Sequence, residues 1–121
     1  MRALTASLLF AAALLLPGCA DPIPQDRLAY TGEWEAPTVR LVITPDGHVN
    51  YLRQEGNTKV TINAPLKRFE GDNFVVGFGP FTTTFVVQKP PRSVEGRYVM
   101  TVDGRELVRV RAFGGAAGII T

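Results

Sequence analysis

The chain is poor in the residues that carry most enzyme chemistry. It has one cysteine, Cys19, one histidine, His48, and one tryptophan, Trp34, among 121 residues. A single cysteine excludes a disulfide framework within the chain, and thiolate zinc centres, which need several converging sulfurs, go with it. Beyond position 18 there is one serine, Ser93, in Pro90-Pro91-Arg92-Ser93, with no Gly-x-Ser-x-Gly elbow to activate it. Charge of one sign is also scarce. The 13 basic and 11 acidic residues include Arg2 in the opening segment; without it, 12 face 11. That near-neutral balance supplies no basic patch for nucleic acid and no polybasic membrane motif. Past the opening segment there is no internal repeat and no amphipathic helical window.

What is present begins at the first residue. Arg2 places a positive charge ahead of an apolar run from Ala6 to Leu16, and Leu16-Pro17-Gly18-Cys19 ends it. A bilayer-spanning helix needs about 20 apolar residues, so this run is too short, and Pro17-Gly18 would stop a helix. The expectation is a secretory signal peptide over 1–18. Its exit resembles the lipobox of bacterial lipoproteins, in which a Leu stands three residues before an invariant Cys and a small residue just before it. The resemblance implies cleavage between Gly18 and Cys19, diacylglycerol on the Cys19 sulfur, and an acyl group such as palmitate on the new amino terminus. One acyl chain binds a membrane only marginally, whereas two or three hold it stably. Within the same resemblance, Ala20 in place of Asp after the cysteine points to the bacterial outer membrane, facing the periplasm. The competing reading is an ordinary cleaved signal, or a cysteine buried in a core.

Removing eighteen residues from 121 leaves 103, the size of one domain with a modest core. Residues 19–27, with two prolines and alternating charges, read as a lipid-anchored extended tether. Residues 28–113 read as an antiparallel β domain, and 114–121 as a flexible tail. Within the domain, Val39, Leu41 and Ile43 alternate with polar positions, Pro45-Asp46-Gly47 turns, and Val49 and Tyr51 alternate again. A three-residue loop pairs Ile43 with Val49 and Leu41 with Tyr51. Val60 and Ile62 define a strand that Pro65 should end. Phe74–Phe78 is apolar on both faces, Phe81 to Lys89 alternates, and Pro90-Pro91 should break the chain. Asp103-Gly104 marks a hairpin pairing Met100 with Leu107 and Val99 with Val108. A three-residue loop there shifts the register by one, and the pattern does not choose between the two.

Seven or eight short strands joined by tight turns predict an all-β fold, an antiparallel meander closing into a small barrel, with a β-sandwich as the alternative. Tyr30-Thr31-Gly32-Glu33-Trp34, followed by hairpins, resembles the Gly-x-Trp signature of calycins, the lipocalin and avidin superfamily. The resemblance implies a tryptophan packed across one end of a barrel against an arginine partner. No arginine is assigned to that role from the sequence.

Few residues offer themselves as a site. His48, at the end of a hairpin loop, has no second metal ligand or orienting group at useful spacing, and reads as a solvated turn residue. Glu33 and Glu35 flank Trp34, and Glu70 and Asp72 flank Gly71; such pairs do acid–base work when their pKa values are split, but are more often solvated. Arg105, Arg109 and Arg111, on one face of a period-two strand, form a possible basic stripe. Trp34, Phe74, Phe78, Phe81 and Phe85, with Gly77, Gly79 and Pro80, are the candidate apolar pocket; the plainer reading is a filled barrel core. No metal or cofactor is expected. The functional expectation is a non-enzymatic binding module, anchored in the membrane by Cys19 lipidation, that meets an envelope protein or a small apolar ligand. A calycin-like carrier of a small hydrophobic molecule comes second, and an enzyme using carboxylates such as Glu33 or Asp72 third.

Overall fold

The structure is a computed structural model that describes residues 20–113. Residues 1–18, expected above to be a signal peptide, Cys19 and residues 114–121 lie outside the described residues. A 3-10 helix over Gln25–Tyr30 leads into nine strands: β1 Gly32–Ala36, β2 Val39–Ile43, β3 His48–Glu55, β4 Thr58–Glu70, β5 Asn73–Phe78, β6 Phe81–Phe85, β7 Val87–Val94, β8 Arg97–Val102 and β9 Arg105–Arg111. They form one antiparallel sheet in the order β6-β5-β4-β3-β2-β1-β9-β8-β7, curled into a half-barrel.

Period-two patterning explains the centre of this sheet. Val39, Leu41 and Ile43 of β2 and Val49 and Tyr51 of β3 are buried, and the register pairs Ile43 with Val49 and Leu41 with Tyr51, as the loop length predicts. At Asp103-Gly104 the two-residue alternative prevails. Asp103 has φ 48° and Gly104 φ 81°, the left-handed pair of a tight hairpin turn, and Met100 meets Leu107.

Prolines behave differently from expectation. Pro65 does not end β4; it is the last residue paired with β3, opposite His48, after which β4 continues against β5. A residue without an N–H is tolerated where the strand changes partner. Pro90-Pro91 lie inside β7, an edge strand whose register against β8 shifts twice around them. An edge leaves one side of the backbone unpaired, and bulges absorb the missing donors.

The two edge strands are consecutive in the chain, separated by Val86 alone. There the seam is tied by loop groups rather than by a ladder. The Asp103 amide donates to the Val86 carbonyl (2.8 Å), and the Val86 amide donates to Asp103 Oδ1 (3.0 Å). The Val87 amide donates to Asn73 Oδ1 (2.8 Å). These bonds satisfy the backbone of Val86 and the first amide of β7 where the chain passes from one edge of the sheet to the other.

The largest departure is at the N-terminal side. Residues 20–27 do not extend freely. Ile23 is buried in the core, its amide donates to the Pro45 carbonyl (2.9 Å), and the 3-10 helix begins at Gln25. Arg27 donates to the Gly71 carbonyl (2.8 Å) and stands 4.6 Å from the Phe69 ring centroid. The proline-rich composition that suggests a tether instead keeps an already extended segment stiff while one apolar residue, Ile23, docks. Gly47, at φ 93°, makes the docking possible: a Cβ there would strike the Asp21 carbonyl. Gly47→Ala is therefore expected to cost about 1–3 kcal/mol in urea unfolding. It should also expose the Ile23 amide to hydrogen exchange; retained protection would count against this contact.

Candidate functional site

The sequence groups five aromatic residues, and the structure divides them. Trp34, Phe74 and Phe85 are fully buried. Phe74 and Phe85 face each other across β5 and β6 and stack, with ring centroids 4.9 Å apart and planes at 12°. Tyr51 meets Phe85 edge-on at 5.0 Å, and Tyr30 meets Phe69 edge-on at 4.9 Å, so the interior end of β5 and β6 is an aromatic cluster. Phe78 and Phe81 pair with each other at the far end of the same hairpin but are 58% and 80% exposed. They do not join Trp34, Phe74 and Phe85 around a common pocket. The ladder shows why: Leu66–Val76 is the last pair between β4 and β5, and the hairpin projects beyond it.

Trp34 is held at the middle of β1. Its Nε1 donates to the Tyr30 carbonyl (2.9 Å), which satisfies the one polar atom of a buried indole and ties the strand to the 3-10 helix. Arg109 of β9 pairs with Trp34 in the ladder, and its guanidinium carbon lies 5.8 Å from the indole centroid and 4.4 Å from that of Tyr98. Gly32, at φ 137°, admits this approach: a Cβ there would meet the Arg109 side chain at 2.6 Å and the Arg111 carbonyl at 2.8 Å. Gly32 and Trp34 thus share one task, bringing β1 and β9 together around the indole. The sequence shows the glycine and the tryptophan but not the arginine.

The charged candidates resolve into pairs rather than a site. Glu33 accepts from Arg40 (2.9 Å) and Arg111 (2.7 Å), while Arg40 lies 4.0 Å from Glu35. Arg105 donates to Glu55 (2.6 Å), which also accepts from the Thr38 hydroxyl (3.2 Å). The Arg105 hydrogen bond holds the Glu55 carboxyl below the ordinary carboxylate range. The three arginines of the supposed stripe therefore engage different partners: Glu55, the Trp34–Tyr98 rings, and Glu33. Glu70 pairs with Arg68 (2.7 Å), and Asp72 contributes its backbone carbonyl to the Tyr30 hydroxyl (2.9 Å). Burial, and secondarily the Asp72 charge, raise the Tyr30 pKa; burial raises that of Tyr51. His48 Nε2 lies 3.0 Å from Asn63 Oδ1 on the exposed face of β3 and β4. Ser93 sits in the β7–β8 ladder opposite Tyr98. Among the described residues no three His, Cys, Asp or Glu side chains gather to hold a metal, and no helix is long and apolar enough to cross a membrane.

Two grooves flank the docked N-terminal segment. One, of about 420 Å³, runs between Pro22–Arg27 and Leu66–Phe69. The other, of about 250 Å³, lies between Ala20-Asp21 and Gly77-Phe78-Gly79. Neither groove has a signal in the sequence, because each depends on residues 20–27 folding back onto the sheet. No family model matches the chain, no curated protein matches it, and no solved structure matches it.

Proposed function

We propose that the chain is a lipid-anchored protein of the bacterial envelope whose β domain binds a partner rather than catalysing a reaction. The observation that carries this reading is the Leu16-Pro17-Gly18-Cys19 motif at the end of a short apolar run, placed one residue ahead of a folded domain. A signal ending directly against a domain delivers it to a membrane face without a separate spanning helix. Of the candidate carboxylates, Glu33, Glu35 and Glu70 stand beside arginines, Glu33 between two of them, which favours binding over catalysis. Anchoring at the outer membrane, facing the periplasm, is the placement most consistent with Ala20 after the cysteine.

The test is Cys19→Ser expressed in a host that processes lipoproteins. The wild-type protein should fractionate with membranes and carry the mass of its acyl groups. The variant should lose those groups and move to the soluble fraction by an order of magnitude or more, since acylation contributes about 0.8 kcal/mol per buried CH₂. Equal membrane partitioning of the two would remove the lipoprotein reading.

A calycin-like carrier is the second reading. It draws support from Trp34 under Arg109 at the junction of β1 and β9, with the 3-10 helix over that end. The stacked Phe74 and Phe85 occupy the interior position such a ligand would take, so the outer groove beside Ile23 and Phe69 is the better place for a small apolar molecule.

A further inference from the structure

The two most exposed large apolar side chains among the described residues, Phe81 and Phe78, sit together at the tip of the β5–β6 hairpin. A small domain seldom leaves two neighbouring phenylalanines to water without a use for them. Their position supplies the use. Ala20 lines the same groove as Gly77, Phe78 and Gly79. Its place is fixed by the docked segment that follows, through the Ile23 amide on the Pro45 carbonyl and the close passage of Asp21 over Gly47. Cys19 is one peptide unit, about 3.8 Å between Cα atoms, from Ala20. The described chain therefore begins beside Phe78, one residue after the cysteine that the lipoprotein reading acylates.

We propose that Phe78 and Phe81 form a second membrane contact: the hairpin tip enters the interfacial region of the bilayer that receives the Cys19 acyl chains, so that the domain lies against the membrane in one fixed orientation. The inference rests on the lipid anchor proposed above. Aromatic side chains prefer the boundary between headgroups and hydrocarbon, and apolar groups at a membrane surface reach about 5–10 Å into it. The backbone of the tip is suited to this position, because the Gly79 carbonyl is already taken by Lys67 Nζ (2.8 Å) and Pro80 has no N–H to desolvate. An acyl group and two aromatic rings on one end of the domain act as a bivalent attachment, the anchor holding the rings at high effective concentration over the bilayer. The Glu55–Thr58 turn lies at the far end of β3 from the Pro45–Gly47 turn that the docked segment meets, and serves as the reference position.

The experiment places an environment-sensitive fluorophore on Phe81→Cys, and in parallel on Asn57→Cys in the β3–β4 turn, in mature protein purified from host membranes. Acylation of the Cys19 sulfur leaves the new thiol as the single labelling site, and the intact mass before labelling shows whether the acyl groups are present. Each protein is reconstituted in phosphatidylcholine–phosphatidylglycerol vesicles containing nitroxide-labelled lipid. Quenching of the Phe81 label at least about threefold stronger than that of the Asn57 label is expected if the tip lies at interfacial depth. Equal quenching at the two positions in an acylated protein would overturn the membrane contact and leave the lipoprotein reading standing. Absent acyl mass would overturn both. A Phe81 label shielded from aqueous iodide but untouched by lipid nitroxide would assign the tip to a protein partner, and would also overturn the proposal.

Discussion

Trp34→Ala is expected to lower the unfolding free energy by about 3–5 kcal/mol, the usual cost of deleting a fully buried large aromatic side chain. The loss has three sources at this position. The indole vacates a site bounded by Leu41 in the β1–β2 ladder and Arg109 in the β1–β9 ladder. The Tyr30 carbonyl loses its donor, which unties the 3-10 helix from β1. The Arg109 guanidinium loses one of its two aromatic faces and keeps only Tyr98. Because Trp34 is the chain's one tryptophan, unfolding is best followed by far-UV circular dichroism in urea. Trp34→Phe should restore part of the loss, as it keeps a ring but not the Nε1 donor, leaving about 1–2 kcal/mol. A deficit below about 1 kcal/mol for the alanine variant would show that this end of the sheet does not depend on the indole.

Phe74→Ala is expected to cost a similar amount, about 3–5 kcal/mol. Phe74 stacks on Phe85 and stands edge-on to Tyr30 at 6.1 Å and tilted against Phe69 at 6.2 Å, so one truncation takes one aromatic neighbour from each of three rings, leaving Phe85 with Tyr51 and Tyr30 with Phe69. The vacated space is lined by apolar groups and should remain dry. Added benzene should then raise the melting temperature of the variant and leave that of the wild type unchanged. The comparison that decides the point is Phe81→Ala, which should change stability by no more than about 0.5 kcal/mol because its ring is largely in water. Comparable losses at positions 74 and 81 would contradict the division of the aromatic cluster into an interior pair and an exposed pair.

That division marks the boundary between local and tertiary information. In register, Phe74, Val76 and Phe78 share one face of β5, and Phe81, Thr83 and Phe85 share the facing side of β6. Alternation therefore places all four phenylalanines alike. Which of them is covered depends on where the β4–β5 ladder ends, and it ends at Leu66–Val76, where β4 changes partner to β3. No spacing within 74–85 contains that fact. The same applies to Arg109, one of three arginines at even spacing on β9: only the closure of β9 onto β1 assigns it to Trp34, seventy-five positions away in sequence. The docked segment is a third case. A single isoleucine between two prolines has no periodicity to read, and its burial is a property of the Pro45–Gly47 turn it meets.

By itself the sequence determined the all-β class, the β2–β3 hairpin with its register, and the two candidate registers of the last hairpin, and it supplies the Leu16-Pro17-Gly18-Cys19 motif on which the proposed anchor rests. These rest on period-two alternation, turn residues and short motifs, all set by neighbours a few positions apart. The tertiary structure decided which proline interrupts a ladder, which aromatics reach water, which arginine covers Trp34, and that residues 20–27 lie on the domain. Each of these depends on strands and turns far apart in the chain meeting as the sheet curls, and side chains become buried or exposed only once that curl is formed.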